Sequence, residues 1–390
     1  MKYPLTSSSW DDREIEAIRE VIESGQFTMG ERVRLYEERF ADYFGARYAI
    51  MANSGSSANL LAVAALRYAS GAMLHPGDEV IVPAVSWGTT YSPLQQYGLR
   101  LKIVDVSLET LNLDVASLEA AVGEKTRAVF AVNLLGAPND FAALNTFCQR
   151  HGLLLLEDNC EAMGATYDGK FTGTFGLVGT FSTFYSHHIS TIEGGVVLTN
   201  DEELSHFARS LRAHGWTREL PENNYVYNKD GNPFNDLFRF VLPGYNVRPM
   251  ELSAALGIHQ LEKLDAILAA RRANAQKFTE LFGGREYVSI QQPVGRSSWF
   301  GFALILKGPL AGERRRVIEA LAEAGIACRP IVAGNFVRHP VIQYFDYSVH
   351  GELVNADAVH DEGFFVGNHH YNLKDNLEYL IEIIDRLAKK

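Results

Sequence analysis

Between residues 48 and 158 the sequence alternates short, wholly apolar runs with longer helical stretches, and few architectures accept that pattern. YAIMAN (48–53) leads into SSANLLAVAALRY, DEVIVPAV (78–85) into TTYSPLQQY, and LKIVDV (101–106) into a helix around SLEAAV. RAVFAVNLL (127–135) then leads into DFAALNTFCQRH, and LLLLED (153–158) closes the series. The apolar runs lack the polar-outward alternation of a half-exposed strand, so both of their faces must be covered. Covered strands separated by helices predict an α/β fold with a mostly parallel sheet.

Two helices precede this series. Ser8 or Ser9 is placed to cap a helix over WDDREIEAIREVIES that Gly25 ends, and ERVRLYEERFADYF forms a second that stops at Gly45. Past residue 250 the pattern changes. ELSAALGIHQLEKLDAILAARRANAQKFTELF reads as one or two long helices, and WFGFALILK, ERRRVIEALAEAG and LEYLIEIIDRLAKK suggest a smaller α/β unit. The expected division is therefore a large domain over 1–250 and a smaller one over 251–390. The least regular stretch, 218–247, reads as a long loop of the kind that walls a site.

A chain of 390 residues exceeds what one small core organises. Its net charge of −11 excludes a general attraction for nucleic acid or an anionic membrane. The start carries no apolar signal region, and no run approaches a membrane span. Cys148, Cys160 and Cys328 are the only cysteines, too few for a disulfide framework, a four-cysteine zinc site or an iron–sulfur cluster. The expectation is a reduced, cytoplasmic protein.

Several strand ends carry chemistry. Asn53–Ala58, between a strand and a helix, is built of small residues whose backbone N–H groups suit an anion, although a plain capping loop reads the same way. Trp87 follows the strand EVIV, where a flat indole either stacks on a heteroaromatic ring or merely packs. Asp158 ends LLLLED, placed to pair with a protonated ring nitrogen or to cap a loop.

The stretch Thr180–Gly195 (TFSTFYSHHISTIEGG) draws these readings together. With it the chain resembles the sugar aminotransferase and dehydratase family of fold-type I enzymes, which use pyridoxal phosphate (PLP). In that family a serine that binds the cofactor phosphate stands five residues before the cofactor-anchoring lysine, and Glu-Gly-Gly or Asp-Gly-Gly follows. Ser182 and Glu193–Gly195 fit this register without a gap, which puts His187 in the lysine slot. Choosing His188 instead puts Thr183 in the phosphate slot and leaves Glu-Gly-Gly one residue short. Other landmarks match in order: Gln26–Gly30, Lys170–Gly176, and Gly244–Arg248 followed by Glu251 and Leu252. The resemblance covers essentially the whole chain. It implies a seven-stranded-type sheet domain with a smaller C-terminal α/β domain.

Histidine cannot form the covalent link to the cofactor that lysine forms. It can move a proton, because its ordinary pKa of about 6.5 lies near working pH. The resemblance therefore implies non-covalent PLP, or its amine form PMP, with His187 as the catalytic group. Ser56, Ser57, Ser182 and Asn246 would hold the phosphate, the last from a neighbouring subunit; Trp87 would stack, Asp158 would pair with the ring, and Glu161 would lie beside it. Phe27, Thr28 and Met29 fall in the family's substrate-contacting segment. His214 and Arg218 would receive glutamate or sugar, Arg248 a carboxylate, and Arg329 a nucleotide-sugar diphosphate; for these four an ordinary salt bridge remains open. The implied reaction removes the C3 hydroxyl of a nucleotide-linked 4-keto-6-deoxyhexose, with GDP the expected nucleotide, L-glutamate the amino donor, and a homodimer the working unit. An aminotransferase would need a lysine in register, and Lys170 already fills the preceding turn. An iron–sulfur relative with a reductase partner would need four cluster ligands. A non-catalytic relative would not be expected to keep Ser182, Asp158 and Trp87.

Overall fold

The computed structural model describes residues 2–229 and 231–389, and Asp230, in the predicted loop, lies outside them. Helices α1 (Asp12–Ser24) and α2 (Glu31–Phe44) come first. The cap of α1 is Asp11 rather than Ser8 or Ser9. Its side chain accepts from the Arg13 N–H, and Glu14 returns a bond to the Asp11 N–H, the reciprocal arrangement that a serine upstream cannot reach. Gly25 and Gly45 end the two helices in the left-handed conformation, as predicted.

The apolar runs form β1 (Tyr48–Ala52), β2 (Glu79–Pro83), β3 (Arg100–Val104), β4 (Thr126–Val132) and β5 (Leu154–Asp158). After these come β6 (Val178–Ser182) and β7 (Gly195–Thr199). The smaller sheet uses β8 (Val288–Ile290), β9 (Gly301–Leu306), β10 (Cys328–Arg329) and β12 (Gly363–Gly367), and β11 (Tyr347–Val349) lies between the last two in sequence. The large sheet runs β1-β7-β6-β5-β4-β2-β3-β11, with β7 alone antiparallel to its neighbours. It thus holds eight strands, the eighth arriving from the C-terminal half. The smaller sheet runs β8-β9-β12-β10 and is antiparallel.

Helices α3 (Gly55–Tyr68) and α4 (Gly88–Gln96) cover the sheet beside the strand ends that will matter. Leu61 to Leu66 of α3 are all buried, because the helix is enclosed on nearly every side. The SLEAAV stretch forms a single helical turn followed by a 3-10 turn, shorter than predicted. Residues 218–247 are irregular apart from one short helix, Pro233–Asp236.

One helix, α5 (Glu251–Phe282), joins two cores. Its first half sets Ala254, Ile258, Leu261 and Leu264 against Tyr36 and Phe40 of α2, while Ala275, Phe278 and Phe282 enter the core of the smaller sheet. The termini cross as well. Tyr3 is buried in the smaller core, its hydroxyl donating to the Gly367 carbonyl at 2.6 Å, and β11 extends the large sheet. Among the described residues no helix is long and apolar enough to cross a membrane.

Candidate active site

Parallel strands β2, β4, β5 and β6 end on one edge of the large sheet, where loops are free to shape a cleft. Asp158, the last residue of β5, is buried there. Its Oδ2 accepts from Asn59 Nδ2 at 2.8 Å and Thr90 Oγ1 at 2.7 Å, and its Oδ1 from the Cys160 N–H at 3.1 Å. Three donors from three elements leave the carboxylate one orientation.

Beside it α3 begins. Ser54 caps the helix, accepting from the Ser57 N–H at 3.1 Å, and Ser56 bonds Thr89 at 2.8 Å. Gly55 has no substitute here: a Cβ would meet Ser182 Cβ at 2.6 Å and Cys160 Sγ at 2.9 Å. That close approach brings the Ser182 side chain to the helix N-terminus, where exposed N–H dipoles favour an anion. Gly195 is equally constrained, since its Cβ would lie 2.3 Å from the Ser54 carbonyl. The Glu-Gly-Gly motif is thus a packing requirement of the same loop.

Beyond β6 the chain turns at Phe184–His187, with the His187 N–H donating to the Phe184 carbonyl. The half-buried His187 ring lines the cleft. Phe300 stands edge-on to it with centroids 5.0 Å apart, and its Nδ1 is buried without a hydrogen-bond partner. Burial, reinforced by the Arg271 guanidinium, pushes the imidazole down to about 3, so it is neutral at working pH. His188 points away, its Nε2 bonding the Ser298 carbonyl at 3.1 Å.

Ser56, Trp87, Asp158, Glu161, Ser182, His187 and Arg329 border one cavity of about 500 Å³. Trp87 is 59% exposed and presents its indole there. Glu161 accepts from the Leu135 N–H at 2.9 Å, and burial raises its carboxyl to about 7. Glu193 of the Glu-Gly-Gly motif lines the same cavity, as do Asn59, Thr89 and Phe300, which no motif in the sequence marks. Asn59 directly follows the Asn53–Ala58 stretch, so its position is legible from it; Phe300 comes from the smaller domain and is not.

The remaining candidates gather elsewhere. Thr28 bridges Met250, the Phe27 carbonyl accepts from the Glu251 N–H, and Met29 packs against the core beneath. Asn246 bridges Ala213 and accepts from Arg248 Nε at 2.9 Å. Trp216 gathers the others: Arg218 lies over it at 4.2 Å, Arg248 at 5.4 Å, and the His214 ring 5.1 Å away. These residues do not border the cavity within this chain, although the Asn53 N–H bonds the Val247 carbonyl at 3.0 Å and joins the two regions. Ser57 also lies outside the lining, on the first turn of α3.

The model of the DegT/DnrJ/EryC1/StrS aminotransferase family matches residues 8–385. This chain belongs to that family. Within the family it is 52% identical to the GDP-4-keto-6-deoxy-D-mannose 3-dehydratase of Yersinia pseudotuberculosis, over 99% of each chain. It is 53% identical to the Escherichia coli O55:H7 enzyme of the same name, over 98% of this chain and 100% of that one. A crystal structure of GDP-4-keto-6-deoxymannose-3-dehydratase, a histidine-to-asparagine variant with bound GDP-perosamine, matches with a TM-score of 0.96 at 53% identity, covering 98% and 100% of the two chains. Another structure of that enzyme, with a trapped PLP-glutamate geminal diamine, matches equally well: TM-score 0.96, 53% identity, 98% and 99% covered. The family's fold-type I architecture accounts for the mixed sheet and for the smaller domain facing its edge.

Proposed function

We propose that this chain is a PLP/PMP-dependent 3-dehydratase acting on GDP-4-keto-6-deoxy-D-mannose. It yields GDP-4-keto-3,6-dideoxy-D-mannose, ammonia and, with L-glutamate as amino donor, 2-oxoglutarate. One observation carries the reading: a cavity lined by Ser56, Trp87, Asp158 and Ser182 also holds a neutral histidine at the position that aligns with the family's lysine. The similar enzymes named above, with a GDP-sugar in one and a PLP–glutamate adduct in another, support the substrate and the donor.

The residues present fit the cofactor. Asp158 keeps a free lone pair on Oδ1 for a ring N–H, and its locked orientation suits an ion pair with a pyridinium. The N-terminus of α3 with Ser56, Ser57 and Ser182 suits the phosphate. The open face of Trp87 suits the ring. When bound, the cofactor supplies an electron sink conjugated to the substrate carbon skeleton.

His187 then does the proton work. Nδ1 is buried against the protein, so Nε2 is the nitrogen that exchanges a proton with the cavity. The neutral imidazole offers the cavity a lone pair that can take that proton. Among the described residues no lysine lines the cavity, so no side-chain amine would be at hand to displace an amino sugar from the cofactor, which favours loss of the C3 hydroxyl. Glu161, with its carboxyl near neutrality, holds a proton within the same cavity.

The homodimer belongs to this reading. Phe27, Met250, Phe238 and Phe240 are all about half exposed or more on the face that carries Asn246, His214, Arg218 and Arg248. A second copy covering that apolar surface would bring these polar groups to its own cavity.

Protein incubated with PLP, glutamate and GDP-4-keto-6-deoxymannose should produce 2-oxoglutarate, ammonia and a sugar lighter by one oxygen. A 4-amino sugar as product would refute the dehydratase reading.

A further inference from the structure

Outside the cavity lining, Arg271 of α5 is buried with only 6% of its surface exposed. Among the described residues no carboxylate pairs with it, and burial lowers its guanidinium to about 10, still charged at neutral pH. Its Nη1 donates instead to the Phe300 carbonyl at 3.0 Å and the Trp299 carbonyl at 3.3 Å. A buried cation without a counter-ion is costly, so its presence calls for a reason.

The segment it holds is strained and heavily tied. Trp299 has φ +51, a conformation side chains rarely adopt. His188 grips the Ser298 carbonyl from one side, and Asn368 the Trp299 carbonyl from another at 2.9 Å. The Ser298 and Phe300 N–H groups bond the Gly136 and Leu135 carbonyls, each at 3.0 Å. Leu135, itself at φ +50, gives its N–H to Glu161. These ties set the Phe300 ring edge-on against His187 at 5.0 Å, with His188 at 5.8 Å and Phe365 at 6.4 Å as its other ring neighbours.

We propose that Arg271 is a positioning residue for the reaction, clamping Trp299 and Phe300 so that the His187 ring is held in place and backed by an uncompensated positive charge. Other titratable groups share the cavity with His187: Asp158 ends β5 and Glu161 follows it, Glu193 precedes β7, Arg329 comes from β10, and His339 lies beyond it. His188 adjoins His187 in the chain, and Arg272 follows Arg271 on α5. Of these charges Arg271 is the one that disfavours the imidazolium, after burial itself.

The inference rests on His187 as the proton-transfer group, and its test separates the two. In the full chain without added cofactor, the His187 ring carbon resonance is titrated in the parent, Arg271→Met and Arg271→Lys, with His187→Gln assigning the signal. Removing the cation should raise the titration midpoint by about one pH unit or more, toward the ordinary value near 6.5. The acid limb of kcat/KM should move up with it, and lysine should restore most of the parent behaviour. An unchanged midpoint in folded Arg271→Met overturns the proposal, whereas a shifted midpoint in a protein that does not dehydrate sugar indicts the assigned reaction. If Arg271→Met does not fold, Phe300→Leu decides: it keeps the guanidinium and both carbonyls. It should lower kcat about ten-fold at unchanged KM, and a parental kcat overturns the clamp.

Discussion

Asn59 of α3 donates to Asp158 at the end of β5 across 2.8 Å, joining the helix proposed for the cofactor phosphate to the carboxylate proposed for its ring. Thr90 reaches the same oxygen. Asn59→Ala and Thr90→Val should each weaken PLP binding about ten-fold, since each removes a hydrogen bond to a buried charge. Absorbance titration with PLP measures this, and undiminished affinity in both would mean that Asp158 needs no orienting.

His187→Lys restores an amine to the slot. It should form a covalent adduct with PLP, trapped by borohydride and seen as a mass increase on a peptide containing residue 187, and dehydration should be lost. Without any adduct, His188 becomes the residue to test.

Glu37 is buried between Arg209 at 2.6 Å and Arg212 at 2.5 Å, and also accepts from the Met51 N–H of β1. Glu37→Leu strands the Arg212 guanidinium, itself 2% exposed. The expected cost is about 3–5 kcal/mol, read as a lowered urea midpoint. A loss near zero would show that Glu219, Arg212's other partner, suffices.

His369 is buried and bonded to Ser7 and to the Pro4 carbonyl, and burial pushes it down to about 4. The unfolded chain binds its proton near pH 6.5, the folded chain only near 4, so acid favours unfolding between those values. Stability should hold above pH 6.5 and fall by about 1.4 kcal/mol per pH unit from this group as the pH drops toward 4. Melting temperatures across that range measure the slope, which should flatten in His369→Gln.

Much of the site is legible in the amino-acid sequence. Asp158, Trp87, Ser56, Ser182 and His187 sit at the ends of apolar strands or on the first turns of helices, and the strand pattern places such ends along one edge. Arg329, from the smaller domain, is reached through resemblance alone. The candidates around Trp216 are legible as motifs but not as neighbours of the cavity, because chain order does not say which copy's cavity a surface group serves.

The apolar strands that lead to the site and the stop glycines Gly25 and Gly45 follow from the sequence by itself, because local periodicity determines them, and the histidine in the lysine slot follows from the motif's resemblance to the family's. Only the tertiary structure decided what surrounds that histidine. Phe300 and Arg271 lie more than eighty residues away, and the contacts that hold them exist only once α5 bridges two cores. Burial and the Arg271 guanidinium lower His187's proton affinity, and no local pattern in the chain encodes either.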